Sequence, residues 1–174
     1  MTPRRLLGLA LLVLPVVAVV SLLQEPSPSS APAMPATTLR DVYAVDGDTI
    51  TARAEDGAEI RIRLLGIDAP EHGECGFQEA TDGLTTLLQA GGSVEFTHDP
   101  ATDQHDRYGR FLGYVAVDGN DAGLSLIDDG LVAAWWPRSA ATPARADTYR
   151  SAHDRAEAAE IGSWAACSTL GRSR

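Results

Sequence analysis

The sequence predicts an α+β fold that is mostly β, with five short strands and three helices in a single domain. Three observations lead to this prediction. Residues 59–65 alternate isoleucine or leucine with arginine, which is the period of a half-buried strand. Turn-forming tripeptides separate segments of this kind. Residues 77–88 instead repeat their apolar side chains at the spacing of an amphipathic helix.

The first three predicted strands form a meander. They cover residues 39–45, 49–53 and 59–65. The connecting tripeptides are Asp46-Gly47-Asp48 and Glu55-Asp56-Gly57, and both favour tight turns. Because turns this short join neighbouring strands, we expect the three strands to pair antiparallel in chain order.

A helix and two further strands follow the meander. The helix over 77–88 is expected to end at Gly91-Gly92, because glycine commonly terminates helices. The fourth and fifth strands are predicted at 93–98 and 110–117. The segment between them, 99–109, is polar and predicted to be a loop.

Two more helices complete the predicted domain. Asp121 is suited to cap a short helix that stops at Gly130. Residues 131–136 are apolar and predicted to be extended, and Thr142-Pro143 favours the start of a helix that runs to about residue 160. Five short strands that close on one another predict a partly open barrel of OB type. A plain α+β sandwich is the alternative.

The N-terminal part of the chain is predicted to lie outside this domain. Two arginines precede the uncharged apolar residues 6–23, so residues 1–23 resemble a secretory signal peptide or an uncleaved signal anchor. Residues 24–38 are rich in proline, serine and alanine, which predicts a disordered linker. We therefore expect an exported domain over 39–174, either secreted or tethered to the membrane through residues 6–23.

The two cysteines are Cys75 and Cys167. Since export places a protein in an oxidising compartment, we expect them to form a disulfide, with two unpaired thiols as the alternative. A bridge closing a loop of this length is worth roughly 4–5 kcal/mol in the chain-entropy model.

The charge balance excludes proteins that bind nucleic acid through a broad basic surface. The chain has 14 Lys+Arg against 24 Asp+Glu, a net charge of −10, and every basic residue other than histidine is an arginine. A nucleic-acid partner would therefore have to be recognised by a few well-placed groups.

Four acidic residues follow the ends of the first three predicted strands. They are Asp46, Asp48, Asp68 and Glu71. If the strands pair as a meander, these carboxylates converge, and carboxylates at close range repel one another unless they bind a hard cation. Ordinary turn carboxylates are the alternative interpretation.

Two arginines favour the cation site over ordinary turns. Arg63 lies on the third predicted strand, and Arg110 opens the fifth. The planar guanidinium group suits phosphate oxygens and stays charged at any working pH. A carboxylate–metal site flanked by arginines is what hydrolysis of a phosphodiester requires.

Three motifs in this order resemble the staphylococcal nuclease, or thermonuclease, family. They are Val45-Asp46-Gly47-Asp48-Thr49-Ile50, Arg61-Ile62-Arg63-Leu64-Leu65-Gly66-Ile67-Asp68-Ala69-Pro70-Glu71 and Asp106-Arg107-Tyr108-Gly109-Arg110. Together with Gly130-Leu131 and Gly162-Ser163-Trp164, they extend the resemblance over residues 39–167. The resemblance implies an OB-type barrel and a calcium-dependent nuclease that acts on DNA and RNA.

The resemblance also implies a set of metal ligands. The calcium ligands of the family match the side chains of Asp48 and Asp68 and the backbone carbonyl of Ala69. The family often has threonine at the last position, and alanine keeps the carbonyl but loses a side-chain hydrogen bond. Asp46 matches a nearby acid that does not contact the metal directly.

The remaining roles implied by the resemblance concern catalysis and substrate binding. Glu71 matches the residue assigned as general base, or at least as the group that orients the attacking water, and Arg63 and Arg110 match the two phosphate-binding arginines. Tyr108 matches a tyrosine near the nucleotide phosphate. In the pair Trp135-Trp136, we expect the first to pack in the core and the second to line the base pocket.

These assignments predict an exported monomer that cleaves DNA, RNA or both with Ca²⁺ as cofactor. The alternative is a non-catalytic OB-fold module at the cell surface that binds nucleic acid or calcium.

Overall fold

The computed structural model of the protein describes residues 36–171. The predicted signal or anchor segment 1–23 and most of the predicted linker 24–38 lie outside the described residues, so both stay predictions. Within the described part of the chain, no helix is long and apolar enough to cross a membrane.

Residues 36–171 form eight strands and three α-helices. In chain order they are β1 (Thr37–Ala44), β2 (Thr49–Arg53), β3 (Glu59–Leu64), β4 (Ile67–Asp68), α1 (Phe77–Gln89), β5 (Val94–Thr97), β6 (Phe111–Val117), β7 (Asn120–Asp121), α2 (Ala122–Asp128), β8 (Ala133–Ala134) and α3 (Ala146–Ala158). A 3₁₀ turn over Gly162–Ala165 follows α3.

Five of these strands close into a barrel, as the sequence predicts. The antiparallel pairs are β1–β2, β2–β3, β1–β5 and β5–β6. Closure comes from a parallel pair between β3 and β6, in which Ile62 lies opposite Phe111 and Leu64 opposite Gly113. The mixed barrel with three helices confirms the predicted OB-type α+β fold and excludes the sandwich.

Strand β1 takes part in both halves of the barrel because it is irregular in the middle. Thr37–Leu39 pair with β5, whereas Arg40 to Ala44 pair with β2, and the register shifts between Arg40 and Tyr43. Asp41 lies in this shift with a φ of 49°. An irregularity of this kind bends a strand and increases its twist, which lets one strand contribute to both halves.

The inward faces of the strands form the main core. Ile50, Ile62, Leu64 and Val115 are almost completely buried. Apolar side chains of α1 and α2 pack against them and close the barrel. On β3, isoleucine and leucine alternate with arginine. This alternation places Arg63 on the face away from the core, as the sequence predicts.

Helix α3 begins later than predicted. It starts at Ala146 rather than at Thr142-Pro143. The N–H groups just before it have tertiary partners, since Ala144 donates to Asp99 Oδ2 at 2.7 Å and Arg145 donates to the hydroxyl of Tyr114 at 3.2 Å. Long-range acceptors thus replace the predicted local N-cap.

The predicted extended segment 131–136 is a strand only at Ala133–Ala134. This short strand, β8, pairs antiparallel with β4, with Ala134 opposite Ile67 and Ala133 opposite Asp68. The pairing lies outside the barrel and holds the backbone of Asp68.

The structure confirms the disulfide between Cys75 and Cys167. Their Cα atoms are 5.7 Å apart and they are separated by 92 residues in the chain. Cys167 belongs to a second, smaller core whose members are Ala133, Ala156, Trp164, Cys167 and Leu170. The bridge therefore joins this second core to the loop that precedes α1.

We expect Ile62→Ala to lower the free energy of unfolding by about 2–5 kcal/mol, because it leaves a cavity where β3 meets β6. Urea denaturation followed by circular dichroism measures the change. Ile161→Ala is the matched control, since the Ile161 side chain is 42% exposed. Equal losses in the two variants would contradict this description of the core.

Candidate active site

The predicted site residues line one open cleft with a volume of about 1370 Å³. The cleft lies beside β3 and is bordered by loop 101–110 and by residues 135–143. The predicted side chains that line it are Asp46, Asp48, Arg63, Asp68, Glu71, Tyr108, Arg110 and Trp136. The fold thus brings together residues that are separated by up to half of the chain.

Asp48 lies at the end of the turn between β1 and β2 and is only 7% exposed. Its Oδ2 accepts a hydrogen bond from the backbone N–H of Ala69 at 2.8 Å. Its Oδ1 accepts one from the hydroxyl of Thr49 at 3.1 Å. The bond from Ala69 ties the first predicted motif to the second.

Asp68 lies in β4 and is 4% exposed. Its Oδ1 is 2.9 Å from Nη2 of Arg63, and the same nitrogen is 2.8 Å from Oδ2 of Asp48. One guanidinium nitrogen therefore bridges the two buried carboxylates.

Arg63 is held independently of these carboxylates. Its Nη1 donates to the carbonyl oxygens of Leu64 and Ile67, each at 2.8 Å. Since both acceptors are backbone atoms, one at the end of β3 and one at the start of β4, the guanidinium position is set by the backbone of these two strands. The sequence places Arg63 near Asp68, but nothing in it indicates these two carbonyl partners.

Burial raises the pKa of Asp48 to about 6. The Arg63 guanidinium opposes this rise, and the neighbouring carboxyls of Asp46 and Asp68 add to it. A buried carboxyl with a raised pKa gains from any additional cation that comes within reach.

The donor set fits a hard cation such as Ca²⁺. Asp48 and Asp68 supply carboxylate oxygens, and the buried Ala69 is joined to Asp48 through its own N–H. Asp46 accepts a hydrogen bond from the N–H of Asp48 at 3.1 Å and so supports the turn. No group of three or more acidic, histidine or cysteine side chains poised for a metal occurs among residues 36–171.

Glu71 lies on the loop after β4 and is exposed at the mouth of the cleft. Its backbone is held by Glu74, whose Oε2 accepts from the N–H of Glu71 at 2.9 Å and whose N–H donates to the carbonyl of Glu71 at 2.8 Å. The turn thus fixes the backbone beneath the carboxylate.

Arg110 is positioned by two residues that the sequence analysis did not select. Its Nε donates to Asp106 Oδ2 at 2.7 Å, and its Nη1 donates to the hydroxyl of Thr49 at 3.2 Å. Asp106 lies four residues before Arg110, a spacing that could have suggested the pair. Thr49 also bonds Asp48, so Arg110, Thr49, Asp48, Arg63 and Asp68 form one continuous network.

The aromatic residues lie along the borders of the cleft. Tyr108 is 68% exposed, and the guanidinium of Arg107 lies 4.7 Å from its ring centre. Trp136 is half-buried, with Arg150 4.9 Å from its ring. Trp135 is also half-buried and lines the cleft, so it does not lie in the core as expected.

Comparison with known proteins supports the resemblance. The profile of the family described as staphylococcal nuclease homologue (SNase) matches residues 61–166. An uncharacterized endonuclease of Escherichia coli O157:H7 is 41% identical over 97 residues, which are 55% of this chain and 58% of that protein. One of Haemophilus influenzae is 30% identical over 128 residues, 74% of this chain and 66% of that protein. Endonuclease YncB of Bacillus subtilis is 32% identical over 93 residues, 51% of this chain and 43% of that protein.

We expect the stability of the protein without divalent cations to fall as the pH rises from about 4 to about 7. Folded Asp48 keeps its proton up to a pKa of about 6, whereas its ordinary value is 3.8. The stabilisation by this proton is therefore complete below the ordinary value and lost as the pH rises through 6. The contribution is on the order of 3 kcal/mol, measured by urea denaturation in chelator.

Asp48→Asn should remove this decline, because the amide does not titrate. Asp147→Asn is the control, since the side chain of Asp147 is fully exposed on α3 and should leave the decline in place. A wild-type protein whose stability stays flat or rises over this pH range would show that Asp48 titrates normally.

Proposed function

The chain belongs to the staphylococcal nuclease family, and from this we propose that it is an exported endonuclease that hydrolyses phosphodiester bonds in DNA, RNA or both. The observation that carries the proposal is the network in which Arg63 and Arg110 flank two buried carboxylates at the floor of an open cleft. The chain spans about 58% of the length of the Escherichia coli relatives it matches, so its activity as a whole protein is part of the proposal.

We propose Ca²⁺ as the cofactor, held by the carboxylates of Asp48 and Asp68 and by the carbonyl of Ala69. When bound, the ion polarises a phosphate oxygen and offsets its negative charge. The raised pKa of Asp48 supports this assignment. Burial raises the free-energy cost of ionising this carboxyl by more than the attraction of the Arg63 guanidinium offsets, so a second cation nearby favours the ionised form.

Arg63 acts on the phosphate from a position that its backbone contacts keep fixed. Nη1 stays bonded to the carbonyls of Leu64 and Ile67, and because the guanidinium is planar and rigid, Nη2 stays directed at the site of the carboxylates, where a phosphate oxygen becomes its acceptor. Holding one nitrogen while the other changes partner lowers the cost of orienting the donor.

Arg110 and Glu71 complete the reaction. Asp106 holds Nε and Thr49 holds Nη1 of Arg110, which lines the cleft, where the guanidinium stabilises charge that develops in the transition state. Glu71 accepts the proton of the attacking water as general base, and its exposed position gives that water access.

Substrate binding depends on stacking and on the site itself. Tyr108 and Trp136 offer aromatic faces at the borders of the cleft, and stacking on such faces tolerates any base. Because the chain carries a net charge of −10, long-range attraction to phosphate contributes little. We therefore propose low sequence specificity, modest affinity and a weak dependence on salt.

Export is supported by the disulfide, since bridges of this kind persist in oxidising compartments. We propose that residues 6–23 direct it, either as a cleaved signal or as a membrane tether.

We expect Glu71→Gln and Arg110→Ala each to lower the rate of cleavage by at least about 100-fold, because each removes a group that acts in the transition state. Release of oligonucleotides from single- and double-stranded DNA and RNA measures the rate, with Ca²⁺ or with chelator. Glu79→Gln, at an exposed position in the first turn of α1, is the matched control and should keep full activity.

The same incubations, with binding of nucleic acid and the melting temperature of the protein measured alongside cleavage, separate the alternatives. Cleavage that requires Ca²⁺ supports the nuclease. Binding of nucleic acid without cleavage indicates a non-catalytic module, and a melting temperature raised by Ca²⁺ with neither binding nor cleavage indicates a calcium-binding surface module. Full activity of Glu71→Gln or Arg110→Ala would overturn the proposed roles.

A further inference from the structure

Residues 167–171, the clamp segment, follow the 3₁₀ turn and pack into the fold at both ends. Cys167 is bonded to Cys75, and its N–H donates to the carbonyl of Ser163 at 2.8 Å. Leu170 is completely buried in the second core. The segment therefore has a defined position against the rest of the domain.

The last residue of the clamp segment lies directly against Asp68. A Cβ atom placed on Gly171 would be 2.6 Å from the carbonyl oxygen of Asp68 and 2.7 Å from its Oδ2. Both distances are too short for any side chain, and Gly171 also has a φ of 54°, which favours glycine. Oδ1 of the same carboxylate faces Arg63. Asp68 is thus enclosed between Arg63 and Gly171.

The clamp segment also contacts the loop that carries Glu71. The disulfide attaches it to Cys75, which lies in that loop. At the start of α1, the Cδ2 atom of Leu170 is 3.1 Å from the position that a Cβ on Gly76 would take. One segment therefore braces both the buried carboxylate of Asp68 and the loop of the proposed general base.

The second core, to which Leu170 belongs, also supports the backbone of Asp68. Ala133 pairs with Asp68 across the β4–β8 ladder and belongs to the second core together with Leu170. A displacement of the clamp segment would loosen the packing of the second core, to which Leu170 and Ala133 both belong, and remove Gly171 from Asp68.

We propose that the clamp segment positions the metal site, that Gly171 fixes the carboxylate of Asp68 from the side opposite Arg63, and that the Cys75–Cys167 bridge holds the segment in place. This inference rests on the proposed function, because it assigns Gly171 a role in the affinity for Ca²⁺. A carboxylate that is already oriented binds the ion without first losing rotational freedom.

Calorimetric titration of the full chain with CaCl₂, without nucleic acid, tests the proposal. Gly171→Ala should weaken Ca²⁺ binding by about tenfold or more, because the added Cβ displaces the carboxylate of Asp68, and disturbing the surroundings of a metal ligand generally has an effect of this size. Gly171→Asn should weaken it as well, because asparagine tolerates a positive φ but still introduces the Cβ that meets Asp68. The asparagine variant thus separates the contact from backbone strain.

Gly119→Ala is the matched control. Gly119 also has a positive φ, 78°, but a Cβ there meets nothing within 4 Å. We expect this variant to be less stable than the wild type and to bind Ca²⁺ with unchanged affinity. Melting temperatures of all variants are recorded, and each titration is run well below the melting temperature of the variant concerned.

The double variant Cys75→Ser/Cys167→Ser releases the segment without adding any atom near Asp68. It should also lose affinity for Ca²⁺ while folded, and it keeps the proposal testable if the Gly171 variants do not fold. Wild-type affinity in Gly171→Ala, in Gly171→Asn or in the folded double variant overturns the role of the segment alone. A wild-type chain that binds no Ca²⁺ overturns the proposed cofactor instead.

Discussion

Burying two carboxylates within reach of one another is unfavourable unless a cation lies between them, and in this protein that cation is the guanidinium of Arg63. Its Nη2 lies 2.8 Å from Asp48 and 2.9 Å from Asp68, which are 7% and 4% exposed. Removing one partner from such a group leaves uncompensated charge in a region of low dielectric constant. The three segments that bear these residues must therefore meet with little tolerance.

That requirement accounts for several features of the fold that would otherwise be unrelated. The parallel pair of β3 and β6 places Arg63 opposite Leu112, two residues from Arg110. The two-residue ladder of β4 and β8 fixes the backbone of Asp68, although so short a pairing adds little to stability. Thr49 then connects Arg110 to Asp48 through its hydroxyl. Each of these contacts joins a charged side chain to a neighbouring segment.

The local patterns in the sequence predict part of this arrangement. The alternation over β3 predicts both the strand and the outward side of Arg63, and Asp121 caps α2 as its type predicts. The resemblance to a family, rather than any local pattern, grouped the acidic and basic residues into one site. The features that neither the local pattern nor the resemblance predicts depend on contacts between distant segments. The start of α3 depends on Asp99 and Tyr114, and the approach of Gly171 to Asp68 depends on a second core formed from several segments.

The negative net charge of the chain can be interpreted once the ion-pair partners of the arginines are known. Outside the cleft, Arg53, Arg145 and Arg155 pair with carboxylates, so their charge is compensated locally. Inside the cleft, Arg63 is also compensated, but by the two carboxylates proposed as metal ligands. In that proposal Asp48 and Asp68 would hold a divalent cation, which would leave Nη2 of Arg63 available to a phosphate oxygen. The cation and the nucleic acid then each favour binding of the other, and by reciprocity the coupling free energy is the same in both directions. Under the proposed mechanism, an acidic protein of this design would gain its affinity for a polyanion mainly in the presence of the cation.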